Sequence, residues 1–68
     1  MTKEIGHTPN GNRVTLERDS RVEGPGPHVF VYDKEGRRYR VGVPSGKTPE
    51  QIADDLVSGR QSDRWITT

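Results

Sequence analysis

A chain of 68 residues with 26% apolar side chains, no cysteine and a formal charge of +1 is bounded first by what it lacks. It can build one domain around one thin core, it cannot form disulfides or thiolate metal sites, and it has no run of about 18 apolar residues to cross a membrane. A near-neutral total also argues against tight non-specific nucleic-acid binding, whose affinity grows with the number of phosphates neutralised.

The charge is unevenly spread. Residues 1–23 are balanced, residues 24–48 are basic and residues 49–68 are acidic. The first residues lack the apolar core of a signal peptide, so a cytoplasmic protein is the expectation. The whole chain reads as one domain, with residues 1–9 and 60–68 as candidate flexible ends.

Taken in chain order, residues 1–9 are polar, with only Ile5 to bury. Pro9-Asn10-Gly11-Asn12 follows, and Asn10-Gly11 predicts a type I′ hairpin turn, which needs positive φ at both central residues. The strands on either side are expected at about 2–8 and 12–18. In the second, Val14 and Leu16 point one way while Thr15 and Glu17 point the other. Residues 19–27 form a connector that Gly24-Pro25-Gly26-Pro27 bars from helix, with Val22 expected to tuck beneath it.

A second hairpin is predicted at about 28–43, around Asp33-Lys34-Glu35-Gly36. A two-residue loop would put Phe30, Tyr32, Tyr39, Val41 and Val43 on one face. A type I turn with Gly36 left-handed gives a three-residue loop with a bulge, and then Val29 and Val31 join Tyr39, Val41 and Val43. That bulged form is the favoured reading, and it displays Phe30, Tyr32, Arg38 and Arg40 together on the other side. A one-residue slip would exchange the two sets.

The helix signal is the clearest in the chain. Thr48-Pro49-Glu50-Gln51 reads as a capping box with proline at the first helical position. Ile52, Ala53, Leu56 and Val57 form one apolar stripe, and Gly59 supplies a left-handed stop. The predicted helix is 49–58. Beyond it, Trp65 is expected to fold back as a core lid or a short extra strand, the alternative being a free anchor for a partner.

Chemistry finds little support. Gly42-Val43-Pro44-Ser45-Gly46-Lys47-Thr48 resembles a phosphate-binding loop, but its first glycine is one residue too close, Pro49 removes an amide, and the chain is too short for a nucleotide-binding domain. What survives is a weak anion grip at Gly46, Lys47 and the helix start. His7 and His28 lack metal-ligand spacing, and Ser20, Ser45, Ser58 and Ser62 show no nucleophile pattern. Asp54 and Asp55 do not face one another on a helix. No catalytic, cofactor or metal residue is assigned, and an enzyme is not expected.

Lys34, Arg37, Arg38 and Arg40 with Phe30, Tyr32 and Tyr39 have the make-up of a nucleic-acid platform, since arginine grips phosphate and aromatics stack on bases. The plainer reading is aromatic core beneath a solvated arginine face. The strand–strand–strand–helix order loosely resembles the small arm-site DNA-binding domain of some phage integrases, with Phe30 to Leu56 as the similar segment, which implies Arg38 and Arg40 facing DNA. It resembles equally the oligomerisation domain of some actinobacterial nucleoid proteins, which implies self-association.

These readings combine into an α+β domain: a small antiparallel sheet of two hairpins, three or four strands in all, packed against one C-terminal helix. The leading functional expectation is a non-enzymatic protein-binding or regulatory module, of a kind that would suit a phage or mobile-element accessory protein. The alternatives are a DNA- or RNA-binding module using the basic hairpin, and a structural subunit that dimerises or assembles through strand edges. Contact candidates are Phe30, Tyr32, Lys34, Arg37, Arg38, Arg40, Lys47 and Trp65.

Overall fold

The computed structural model describes residues 2–18 and 26–66. Its elements are β1 (Thr2–His7), β2 (Arg13–Glu17), β3 (His28–Tyr32), β4 (Arg38–Val41), α1 (Pro49–Ser58) and a 3₁₀ turn at Arg64–Ile66. The strands form one antiparallel sheet in chain order, β1-β2-β3-β4. The expected α+β architecture is therefore present, with four strands. Most of the predicted connector, Val22 included, lies outside the described residues.

Both hairpins close with the same loop. In the second, the Asp33 amide donates to the Arg37 carbonyl at 3.1 Å and the Gly36 amide to the Asp33 carbonyl at 3.0 Å, with Gly36 at φ 85°. This is a type I turn with a glycine bulge, and the resulting register pairs Val29 with Val41, Phe30 with Arg40, Val31 with Tyr39 and Tyr32 with Arg38. The bulged alternative is the one adopted.

The first hairpin departs from expectation. The Thr8 amide donates to the Asn12 carbonyl, the Gly11 amide donates to the Thr8 carbonyl, and Gly11 alone in the turn has positive φ, 87°. The turn is therefore type I over Thr8, Pro9, Asn10 and Gly11, not type I′. The reason is Pro9. A two-residue loop would make residue 9 a closing donor, and proline has no N–H; at the second position of a type I turn its fixed φ is already correct.

Strand alternation then sorts the side chains. Val14, Leu16, Val29, Val31 and Val41 face α1 and form one core with Ile52, Ala53, Leu56 and Ile66. The helix lies over β1, β2 and β3. Its ends match the prediction: the Thr48 hydroxyl accepts from the Gln51 amide, the Gln51 side chain accepts from the Thr48 amide, and Gly59 caps at φ 85°.

The tail corrects one expectation. It does fold back, but the lid is Ile66, which is 5% exposed, whereas Trp65 is 49% exposed. A 3₁₀ turn places successive side chains about 120° apart, so only one of two neighbours can enter a core this thin. The turn is anchored by Asp63, whose carboxylate accepts hydrogen bonds from Thr8 Oγ1 at 2.5 Å, Asn10 Nδ2 at 2.6 Å and Asn12 Nδ2 at 2.7 Å.

Candidate functional site

The eight contact candidates fall into three places. Phe30, Tyr32, Arg38 and Arg40 lie on the sheet face away from α1, as the register requires. Lys34 and Arg37 sit at the β3–β4 turn and share a cleft with Tyr39, whose ring Trp65 meets edge-on. Lys47 stands apart at the helix start.

The outer sheet face is internally committed. Glu17, although on a face that no helix covers, is 6% exposed. Its carboxylate accepts from Thr15 Oγ1 at 2.8 Å, from the Tyr32 hydroxyl through a short hydrogen bond, and from Arg38 Nη1 at 3.0 Å. Burial would raise the Glu17 pKa, but these three donors outweigh it and hold the carboxyl below its usual range. Burial and the same carboxylate push the Tyr32 hydroxyl up.

The arginines complete the arrangement. The Arg38 guanidinium lies 4.4 Å from the Phe30 ring centre and that of Arg13 lies 4.4 Å from the Tyr32 ring centre. Such stacking lets charged side chains roof apolar rings. Phe30 is consequently 2% exposed. Arg13 also approaches Glu4, with Nε 3.1 Å from Oε1, a charge contact too bent to count as a hydrogen bond. A base could not stack on Phe30 without first displacing Arg38.

The turn end is different. Asn12, Asp33, Lys34, Glu35, Arg37, Tyr39 and Ile66 line an open cleft of about 300 Å³. Asp33 shapes the turn: its Oδ1 accepts from the Glu35 and Arg37 amides, both at 2.9 Å. The Arg37 amide is the main reason its carboxyl is held low. Tyr39 raises the Arg37 guanidinium pKa further. Trp65 stands edge-on to Tyr39, with ring centres 6.0 Å apart at 87°, a favoured aromatic geometry.

At the loop resembling a phosphate-binding motif, Lys47 Nζ lies 3.7 Å from Asp55 Oδ2, so its charge is partly answered from within the chain. The Gln51 amide at the helix start is already capped by Thr48. Among the described residues no group of three His, Cys, Asp or Glu side chains could hold a metal ion, and no helix is long and apolar enough to cross a membrane.

Sequence reasoning missed Glu17 as a hub and Asp63 as a clamp. The clamp joins residues 51 to 55 positions apart, which no local pattern reveals. The one local signal is the crowding of three side-chain donors, Thr8, Asn10 and Asn12, into one turn. Comparison with protein-family models, curated proteins and solved structures returns no match, so a functional reading of this chain rests on its own geometry.

Proposed function

We propose that this chain is a non-enzymatic protein-binding module that engages its partner through Trp65 and Tyr39, with Lys34 and Arg37 as a cationic rim. The observation that carries this reading is the exposure of Trp65, 49%, on a turn that is otherwise locked. Its neighbour Ile66 is in the core and Asp63 is tied by three hydrogen bonds. A chain with only 18 apolar side chains leaves its single tryptophan outside while burying the residue beside it. Tryptophan dominates binding energy at protein interfaces, and a pre-ordered turn lowers the entropy that binding must overcome.

The nucleic-acid alternative draws less support, because Arg38 and Phe30 are already engaged with Glu17 and with each other. The test is peptide display on the immobilised protein. Selected binders should weaken about tenfold or more with Trp65→Ala, a loss on the scale of a modest hot spot, and should lose less with Arg40→Ala. Binders indifferent to Trp65, or a DNA duplex bound with steep salt dependence through Arg38 and Arg40, would overturn the reading.

A further inference from the structure

We infer that the partner segment is an extended chain of alternating acidic and apolar residues, added as a fifth strand beside β4. This deepens the protein-binding reading and rests on it. Strand β4 is one edge of the sheet, and among the described residues no strand lies beyond it. Antiparallel ladders alternate between residues that bond across the pair and residues whose amide and carbonyl point away. Asp33 bonds Arg37, so in the same register Tyr39 and Val41 bond to β3. The amide and carbonyl of Arg40 then face the open edge. A peptide laid there would find regular backbone partners.

Side chains specify what kind of strand fits. Residues directly opposite one another in a ladder share a face. A residue across from Arg40 lies on the outer face beside a cation and is best acidic, whereas Arg38 is already paired with Glu17. A residue across from Tyr39 lies on the inner side, where Tyr39 and Trp65 offer aromatic surface. The segment from Asp33 to Val41 holds four basic residues against two acidic ones, and with Glu17 answering Arg38 the edge keeps a small positive excess that favours a negatively charged strand.

The same charges argue against the other occupants. Two β4 edges side by side would bring arginine rows together, a familiar guard against self-association. The opposite edge, β1, has a register break between Glu4 and Gly6 and carries both Lys3 and Glu4, so it offers neither a regular ladder nor one sign of charge.

The experiment titrates isotope-labelled protein with a short capped peptide alternating valine and glutamate, and with a control alternating valine and lysine. The expected result is slowed exchange and shifted resonance at the Arg40 amide with the glutamate peptide only. N-methylating one set of alternate peptide amides should abolish binding, and methylating the other set should not. Arg40→Glu should weaken the glutamate peptide roughly fivefold or more and strengthen the lysine peptide.

Equal binding of both peptides, tolerance of either methylation pattern, or shifts confined elsewhere would overturn strand addition. So would a DNA duplex that shifts the same amides as strongly as the glutamate peptide. Display binders that depend on Trp65 but are basic or helical would sink the strand model and leave the protein-binding reading intact. Failure to obtain any Trp65-dependent binder, with the glutamate peptide still adding at β4, would remove the Trp65 anchor and support the edge site.

Discussion

Removing the Asp63 carboxylate is the severest test of how this fold holds its tail. Asp63 is 2% exposed and accepts from three side chains. Two of the donors are themselves buried, Thr8 at 4% and Asn12 at 0% exposure. Asp63→Ala would leave both without their acceptor. Hydrogen bonds to a charged group contribute about 1.5–3 kcal/mol each, and orphaned buried donors cost a similar amount. Because the three share one carboxylate they do not add fully, and the expected loss is about 3 kcal/mol.

A chain of this size has about 3–10 kcal/mol in total, so the variant should lose about 12–24 °C of thermal midpoint. Asp63→Asn should cost about 2 kcal/mol, since its amide keeps one acceptor oxygen and turns a donor toward donors. The assay is urea unfolding followed by far-ultraviolet circular dichroism. The pH dependence gives a second handle. Burial would raise the Asp63 pKa, but the Thr8, Asn12 and Asn10 hydrogen bonds outweigh it and leave it lowered. A lowered carboxyl adds stability that is fully present above the unfolded value, about 3.9, and is lost as pH falls through the folded one. A midpoint unchanged by Asp63→Ala, or acid-unfolding curves that superimpose for wild type and Asp63→Asn, would refute the clamp.

Further outcomes are expected elsewhere. Tyr32 should ionise above the usual tyrosine value in an ultraviolet titration, and Glu17→Gln should bring it down; because the folded pKa is raised, this contribution holds below pH of about 10 and is lost as pH climbs through the folded value. Gly59→Ala should cost more than Gly36→Ala in urea midpoint. Both glycines have φ 85°, worth about 1–2 kcal/mol of strain in any other residue, but a Cβ on Gly59 would meet Pro9 Cγ at 3.1 Å and one on Gly36 meets nothing. Ile66→Ala should cost about 2–4 kcal/mol by chemical denaturation and expose the core beside Trp65. Arg38→Ala should lower the urea midpoint, since Arg38 covers Phe30 and pairs with Glu17, whereas Arg40→Ala on the same face should leave it within error.

The sequence announces those parts of the fold that are decided locally. The capping box at Thr48 and Gln51 and the stop at Gly59 set the helix ends whatever packs against them, and the Asp33-Lys34-Glu35-Gly36 turn sets the register of β3 and β4. The first turn is harder to read, because the strong pair signal Asn10-Gly11 misleads without its neighbour; Pro9 lacks the donor that the shorter loop needs. The Trp65 and Ile66 pair comes out in the wrong order from sequence because size is no guide to burial. Which of two adjacent apolar residues enters a core depends on the angle at which the chain returns, and here that angle is set by Asp63 meeting Thr8, Asn10 and Asn12 across more than fifty residues.

The register of the second hairpin also decides what the arginines are for. In the bulged form Arg38 falls opposite Tyr32, on the face where Glu17 is buried. A buried carboxylate without a cation would be costly, and Arg38 answers it while covering Phe30 with the same guanidinium. One residue of slip would have turned Phe30 and Tyr32 toward the helix and left the valines outside. Glu17 would then have stood over an aliphatic surface with no hydroxyl from Tyr32. Arginine content in this hairpin is thus explained first by the stability of a sheet with one uncovered face. Of the hairpin's cations only those outside that network, Arg40 beside the open edge and Lys34 and Arg37 at the turn, are available to the proposed partner. Lys34 and Arg37 line one cleft with Tyr39, against which Trp65 stands edge-on, while Arg40 lies on the other face of the same strand.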